Sequence, residues 1–165
     1  MTWRGLAAAA APVVGAVCVI AAIGVAHVEH DSMSPTLSAG TRVVYDRVST
    51  PHRGDIVLIE DRGGWSGVAG ATLIKRVIGV AGDQVVCCEP GTGRLIVNGI
   101  AVDEPFVDGE RPGGSIPFRI TVARGTVFVM GDNRGASLDS RAGLDDPGHG
   151  GVAVDDVLGV VRAWW

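Results

Sequence analysis

Residues 6–28 carry no Asp, Glu, Lys or Arg and are built mainly from Ala, Val, Ile and Gly. A stretch of that length and polarity must be hidden from water. A helix that crosses a hydrocarbon core needs about 20 apolar residues, so the expectation is a membrane-spanning helix over 6–28 behind a short cytoplasmic end at 1–5. Arg4 lies on one side of the run and Glu29 and Asp31 on the other, which favours an amino end on the inside by the positive-inside tendency. Gly24-Val25-Ala26 also has the small-x-small pattern of a cleavable export signal. The apolar part of such a signal is about 7–15 residues, shorter than this run, and the uncleaved anchor is preferred. On either reading the remainder, 29–165, is extracytoplasmic.

That remainder is about the size of one compact domain. The chain has 165 residues and a formal net charge of -4, and an acidic balance without Lys/Arg clusters speaks against nucleic acid as a partner. Cys18, Cys87 and Cys88 are too few for a disulfide framework, and no C-x-x-C spacing points to zinc. Cys18 sits in the apolar run as a small buried residue. Cys87 and Cys88 read as packing residues on opposite faces of a strand, with a vicinal disulfide as the alternative outside the cytoplasm.

Short β-branched runs at 41–45, 55–59, 72–80, 84–88, 94–97, 100–102, 118–122, 126–130 and 157–161 alternate with stretches rich in Gly, Pro, Ser and Asp. Asn98-Gly99 supplies the two positive-φ positions of a tight hairpin. No amphipathic helical period is visible outside the apolar run, so the domain is expected to be mainly β, made of coiled antiparallel sheets. Residues 84–116 form its smaller subregion.

The chemistry centres on Asp31-Ser32-Met33-Ser34-Pro35-Thr36-Leu37. A serine hydroxyl is a poor nucleophile until a base takes its proton. Lys75, in Thr72-Leu73-Ile74-Lys75-Arg76-Val77-Ile78-Gly79, lies in a strand-like apolar run. Burial there disfavours the ammonium and lowers its pKa, giving a Ser32–Lys75 dyad. Arg76, next in the strand, points the other way, so one of the pair faces inward and the other outward. Pro35 restricts Ser34 to extended geometry, and the backbone N–H of Ser32 is the expected donor to a tetrahedral oxyanion. A Ser-His-Asp arrangement is the competing possibility. His27 and His30 are too close in sequence to Ser32 for an easy triad, whereas His52 and His149 sit in turn-rich loops and read as surface histidines.

The serine segment, Arg53-Gly54-Asp55-Ile56-Val57, the Lys75 strand with Gly82-Asp83, and Gly131-Asp132-Asn133-Arg134 running to Ser137-Leu138-Asp139-Ser140-Arg141 resemble, in this order, the boxes of type I signal peptidases. The resemblance implies a membrane-anchored serine endopeptidase with a signal-peptidase-like catalytic domain and no metal or cofactor. Its partners would be the lipid bilayer and exported precursors, cut after a small-x-small motif on the outer face of the cell membrane. It further implies that Ser137 hydrogen-bonds the lysine amine. Asp139 and Arg141 would form a bracing ion pair, with Asp132 and Arg134 supporting the same region. His30 stands where relatives carry serine or glycine, and its ring, its backbone alone, or neither would serve the oxyanion. Val28, Met33, Leu37, Val43, Leu73 and Ile74 are candidates for pockets that admit alanine-sized side chains, or for ordinary core. The edges beside Ile74 and before Ser32 are suited to pairing with an extended peptide. Trp3, Trp164 and Trp165 suit a membrane interface. The rivals are a non-catalytic peptide-binding β-domain anchored to the membrane, and a repressor-type Ser-Lys autoprotease, against which the apolar run argues.

Overall fold

The computed structural model describes residues 22–109 and 111–165. Among the described residues eleven strands make two antiparallel sheets: β1 Ile23–His27, β2 Arg42–Asp46, β3 Ile56–Asp61, β4 Ala71–Val80, β5 Gln84–Cys87, β6 Leu95–Val97, β7 Ile100–Ala101, β8 Phe118–Thr121, β9 Thr126–Met130, β10 Val152–Ala153 and β11 Val157–Trp164. The larger sheet runs β1-β2-β11-β3-β4-β9-β10 and the smaller β7-β6-β5-β8. The mainly β expectation holds. The smaller sheet extends to Thr121, past the expected boundary at 116, because β8 pairs with β5 from Gln84↔Thr121 to Cys87↔Phe118.

Alternation along the strands sends side chains to two faces, and each face of the larger sheet has its own core. On one, Val43, Ile56, Leu58 and Val161 meet Met33 and Leu37 from the segment that follows β1. On the other, Val57, Ile59, Val77, Val129 and Val160 pack together. A third cluster joins the sheets: Ile78, Phe128 and Met130 of the larger one lie against Val85, Leu95 and Ile120 of the smaller. The Asn98-Gly99 hairpin forms as expected between β6 and β7, with φ of 53° and 82° at its two central residues.

The apolar run does not end as expected. Ile23–His27 is a strand paired with β2 from Ile23↔Asp46 to His27↔Arg42, so these residues are not part of the helix expected over 6–28. Residues 1–21, which hold the rest of that span, lie outside the described residues. Among the described residues no helix is long and apolar enough to cross a membrane. Cys87 and Cys88 do pack against the cluster between the sheets, and the alternative, a vicinal disulfide, forms as well. They are joined by a vicinal disulfide across a cis peptide, and the chain leaves the strand after Cys87.

Candidate functional site

Two segments far apart in sequence meet on one face of the larger sheet. The first is a 3-10 turn, Asp31–Met33, anchored by the fully buried Met33 and Leu37. It ends at Ser34, whose φ of -62° and ψ of 143° are extended, as a residue before proline requires. The second is β4, which presents Lys75 opposite Val57 of β3. Lys75 Nζ lies 2.8 Å from Ser32 Oγ and donates to the Ile74 carbonyl at 2.9 Å. Lys75 is 2% exposed. Burial draws its ammonium down from 10.5 to about 8, while Asp139 and Asp61 pull the other way and Arg141 adds to the lowering. A fraction of the amine is therefore neutral near pH 7, with its lone pair beside an alcohol.

Arg76 corrects one expectation, since it is buried too. The second face of β4 is covered by the Gly131–Arg134 segment and by Phe106, so Arg76 meets protein instead of water. Its Nε and Nη2 bind Asp132 Oδ1 and Oδ2 at 2.8 and 2.6 Å, and its guanidinium stacks 3.8 Å from the Phe106 ring centroid. Asp132 also accepts from Thr36 Oγ1 at 2.6 Å. One carboxylate thus links the strand of Lys75 to the segment of Ser32.

Asp139 and Arg141 form the expected ion pair, with Nε to Oδ1 and Nη2 to Oδ2 both 2.8 Å. Asp139 Oδ2 also accepts from the Gly131 N–H at 3.0 Å. Arg134 does not pair with Asp132. Its guanidinium binds Glu104 at 2.7 and 3.0 Å and the carbonyl of Gly131 at 2.9 Å, and it contacts the Pro112 carbonyl. Glu104 was not singled out from the sequence, because it falls in an irregular stretch with no periodicity to mark it as buried.

Ser137 does not make the expected bond to Lys75. Its Oγ is buried without a hydrogen-bond partner, and it crowds Gly131 so closely that a Cβ there would overlap both Ser137 Oγ and the Ser32 carbonyl. Glycine at 131 is what lets these two segments touch. His30 is exposed, and its side chain makes no capping hydrogen bond to the turn. Of the pocket candidates, Val28, Met33, Leu37 and Val43 are core residues of one cluster, with Ile74 packed against it. Leu73 packs instead beside Val57 and Ile59, on the face of β4 opposite to its neighbour Ile74.

A buried amine against a serine hydroxyl, set on the larger sheet, is an arrangement suited to the serine chemistry of peptidases. The family model described as signal peptidase, peptidase S26, matches residues 2–165. Signal peptidase I U of Bacillus subtilis (strain 168) is 34% identical over 143 residues, covering 80% of this chain and 70% of that protein. Signal peptidase I of Mycobacterium tuberculosis (strain ATCC 25618 / H37Rv) is 34% identical over 181 residues, covering 80% of this chain and 61% of that one. The chain therefore matches roughly two thirds of the length of these relatives. The crystal structure of a signal peptidase I from Enterococcus faecalis V583 aligns with a TM-score of 0.53 at 26% identity, over 70% of this chain and 99% of that one. The chain belongs to the signal peptidase family, the S26 serine endopeptidases.

Proposed function

We propose that the protein removes signal peptides from exported precursors, with Ser32 as nucleophile and Lys75 as general base. The observation that carries this reading is the 2.8 Å separation of Lys75 Nζ and Ser32 Oγ in a site where burial holds the ammonium at about 8. Neutral Lys75 takes the hydroxyl proton as Ser32 Oγ adds to the scissile carbonyl. The oxyanion receives the Ser32 N–H, and the lysine ammonium returns the proton to the leaving amine. Water, activated by the same amine, then cleaves the ester.

The substrate lies as an added strand. β9 pairs with β4 from Arg76↔Met130 onward. The edge of residues 71–75 away from β3 is unpaired among the described residues, and it ends at the dyad. An extended peptide bonded there places its scissile carbonyl at Ser32. A small-x-small requirement fits a floor already filled by Met33, Val43 and Ile74, which leaves room only for short side chains. The apolar residues ahead of β1 anchor the chain in the bilayer, with the β-domain on the outer face. Ser32→Ala and Lys75→Ala are each expected to abolish cleavage of a reporter precursor in detergent while the β-domain stays folded. Turnover by either variant, followed by mass spectrometry of the products, would reject the dyad.

A further inference from the structure

Asn133 bonds the peptide groups on both sides of Ser32. Its backbone N–H donates to the Ser32 carbonyl at 3.1 Å, and its side-chain Nδ2 donates to the Asp31 carbonyl at 3.1 Å. The Asp31 carbonyl accepts a second bond, from Ser34 N at 3.1 Å, inside the turn. A trans peptide is planar, so the carbonyl of Asp31 and the N–H of Ser32 point in opposite directions, and fixing one fixes the other. The Ser32 N–H itself donates to no group among the described residues. That peptide is tied on its carbonyl side and open on its amide side, the arrangement of a preorganised oxyanion donor.

The tether is stiff. Asn133 follows Asp132, whose carboxylate is held by Arg76 from β4 and by Thr36 from beyond the turn. Gly131, two residues before Asn133, is pinned through its N–H to Asp139 and through its carbonyl to Arg134. The His30 ring is exposed and makes no capping bond to the turn, so it does not hold the Ser32 amide in place.

We propose that Asn133 is a positioning residue for oxyanion stabilisation, clamping the Asp31 and Ser32 carbonyls so that the Ser32 N–H faces the oxygen that becomes negative in the tetrahedral intermediate. The inference rests on Ser32 as nucleophile. Asn133 touches no reacting atom, and its side chain acts through the Asp31–Ser32 peptide.

The test uses the full chain in detergent, with Asn133→Ala and Asn133→Asp assayed against a cleavable peptide, a peptide aldehyde that adds reversibly to the serine, and the carboxylate product peptide. Losing the side-chain tether is expected to lower kcat by about tenfold to hundredfold, less than the 10²–10³ lost when an oxyanion donor is removed outright. KM, the acid limb of the pH profile and product-peptide affinity stay within about twofold, while aldehyde affinity falls by the same factor as kcat/KM. Unchanged kcat and aldehyde affinity overturn the proposal, and so does an equal loss for aldehyde and product, which would mean a distorted cleft. Asn133→Asp keeps the shape of the side chain and removes the Nδ2 donor, so it decides the matter if the alanine variant does not fold. Ser32→Ala assayed alongside separates the two levels. Turnover by that variant removes the nucleophile assignment, whereas its inactivity beside a normal Asn133→Ala removes only the role of Asn133.

Discussion

Lys75 gives up its water and gains two acceptors, Ser32 Oγ and the Ile74 carbonyl, which is too little to hold a full ammonium charge inside the sheet. The shift from 10.5 to about 8 makes catalysis and stability depend on pH in linked ways. As the proposed general base, Lys75 would work only when neutral, so kcat/KM should rise about tenfold per pH unit from acid and level off above about pH 8. Lys75→Arg, which cannot lose its proton, should be inactive at every pH. A flat profile between about pH 5 and 9 would exclude the lysine as base. For stability, both folded and unfolded chains carry the charge below about 8, and the folded state bears the full burial cost there. Between about 8 and 10.5 the unfolded chain binds the extra proton, so stability rises with pH and the cost is gone above both values. Lys75→Met should therefore raise stability at pH 7 by up to about 3 kcal/mol, and the gain should fade as the pH approaches 10.5. Urea unfolding at a series of pH values reads this directly. A pH-independent difference would mean that packing, and not the charge, sets it.

The segment from Gly131 to Arg141 is the element through which the site is braced. It holds the Ser32 turn through Asn133 and Thr36, β4 through Asp132, and the irregular stretch around Glu104 and Pro112 through Arg134. The Arg134–Glu104 pair is buried on both sides, with side chains 4% and 5% exposed. Glu104→Ala leaves a guanidinium in the interior without its counter-charge, and an expected loss of about 3–5 kcal/mol follows. Arg94→Ala, at a pair whose side chains are 39% and 29% exposed, should cost far less, because water screens the pair. Equal midpoints for the two variants in thermal unfolding would show that the interior pair is not a brace. The order of the boxes made Ser32, Lys75 and the Asp139–Arg141 pair legible from the sequence. Which partner Asp132 and Arg134 would take was not, because both choices depend on residues in loops, where no periodicity fixes a direction. Arg76 could be assigned to the second face of β4, but only the folded chain shows that face covered by Phe106. The start of β1 was equally hidden. Ile23 and Val25 suit a bilayer helix and an edge strand alike, so hydropathy alone places no boundary between them.

At the scale of the molecule, the first described strand and the carboxyl-terminal strand converge on β2. The carbonyl and N–H of Trp165 pair with Arg42 on β2, and β2 carries β1 on its other side, directly after the apolar residues. Exposed Ile23 and Val25 on β1 and exposed Trp164 and Trp165 at the carboxyl end gather at this edge of the sheet. Four large apolar side chains in water are unfavourable, whereas at a headgroup boundary the indole rings are at home. With the strand starting at Ile23, the proposed membrane anchor is confined to the apolar residues before it, 6–22, a length within the roughly 17–25 that a span needs. On the proposed anchoring, this edge is the part of the β-domain that would meet the bilayer and set the cleft near the height where a precursor leaves its own apolar segment. Replacing Ile23, Val25, Trp164 and Trp165 together by Ser keeps the dyad untouched and should leave cleavage of a short soluble peptide within about twofold of normal. Cleavage of a precursor inserted in vesicles should fall several-fold, because the anchor alone holds the domain near the lipid without fixing its tilt. Equal rates for variant and parent on the vesicle-bound precursor would place this edge away from the membrane, and the anchor would then act only as a tether.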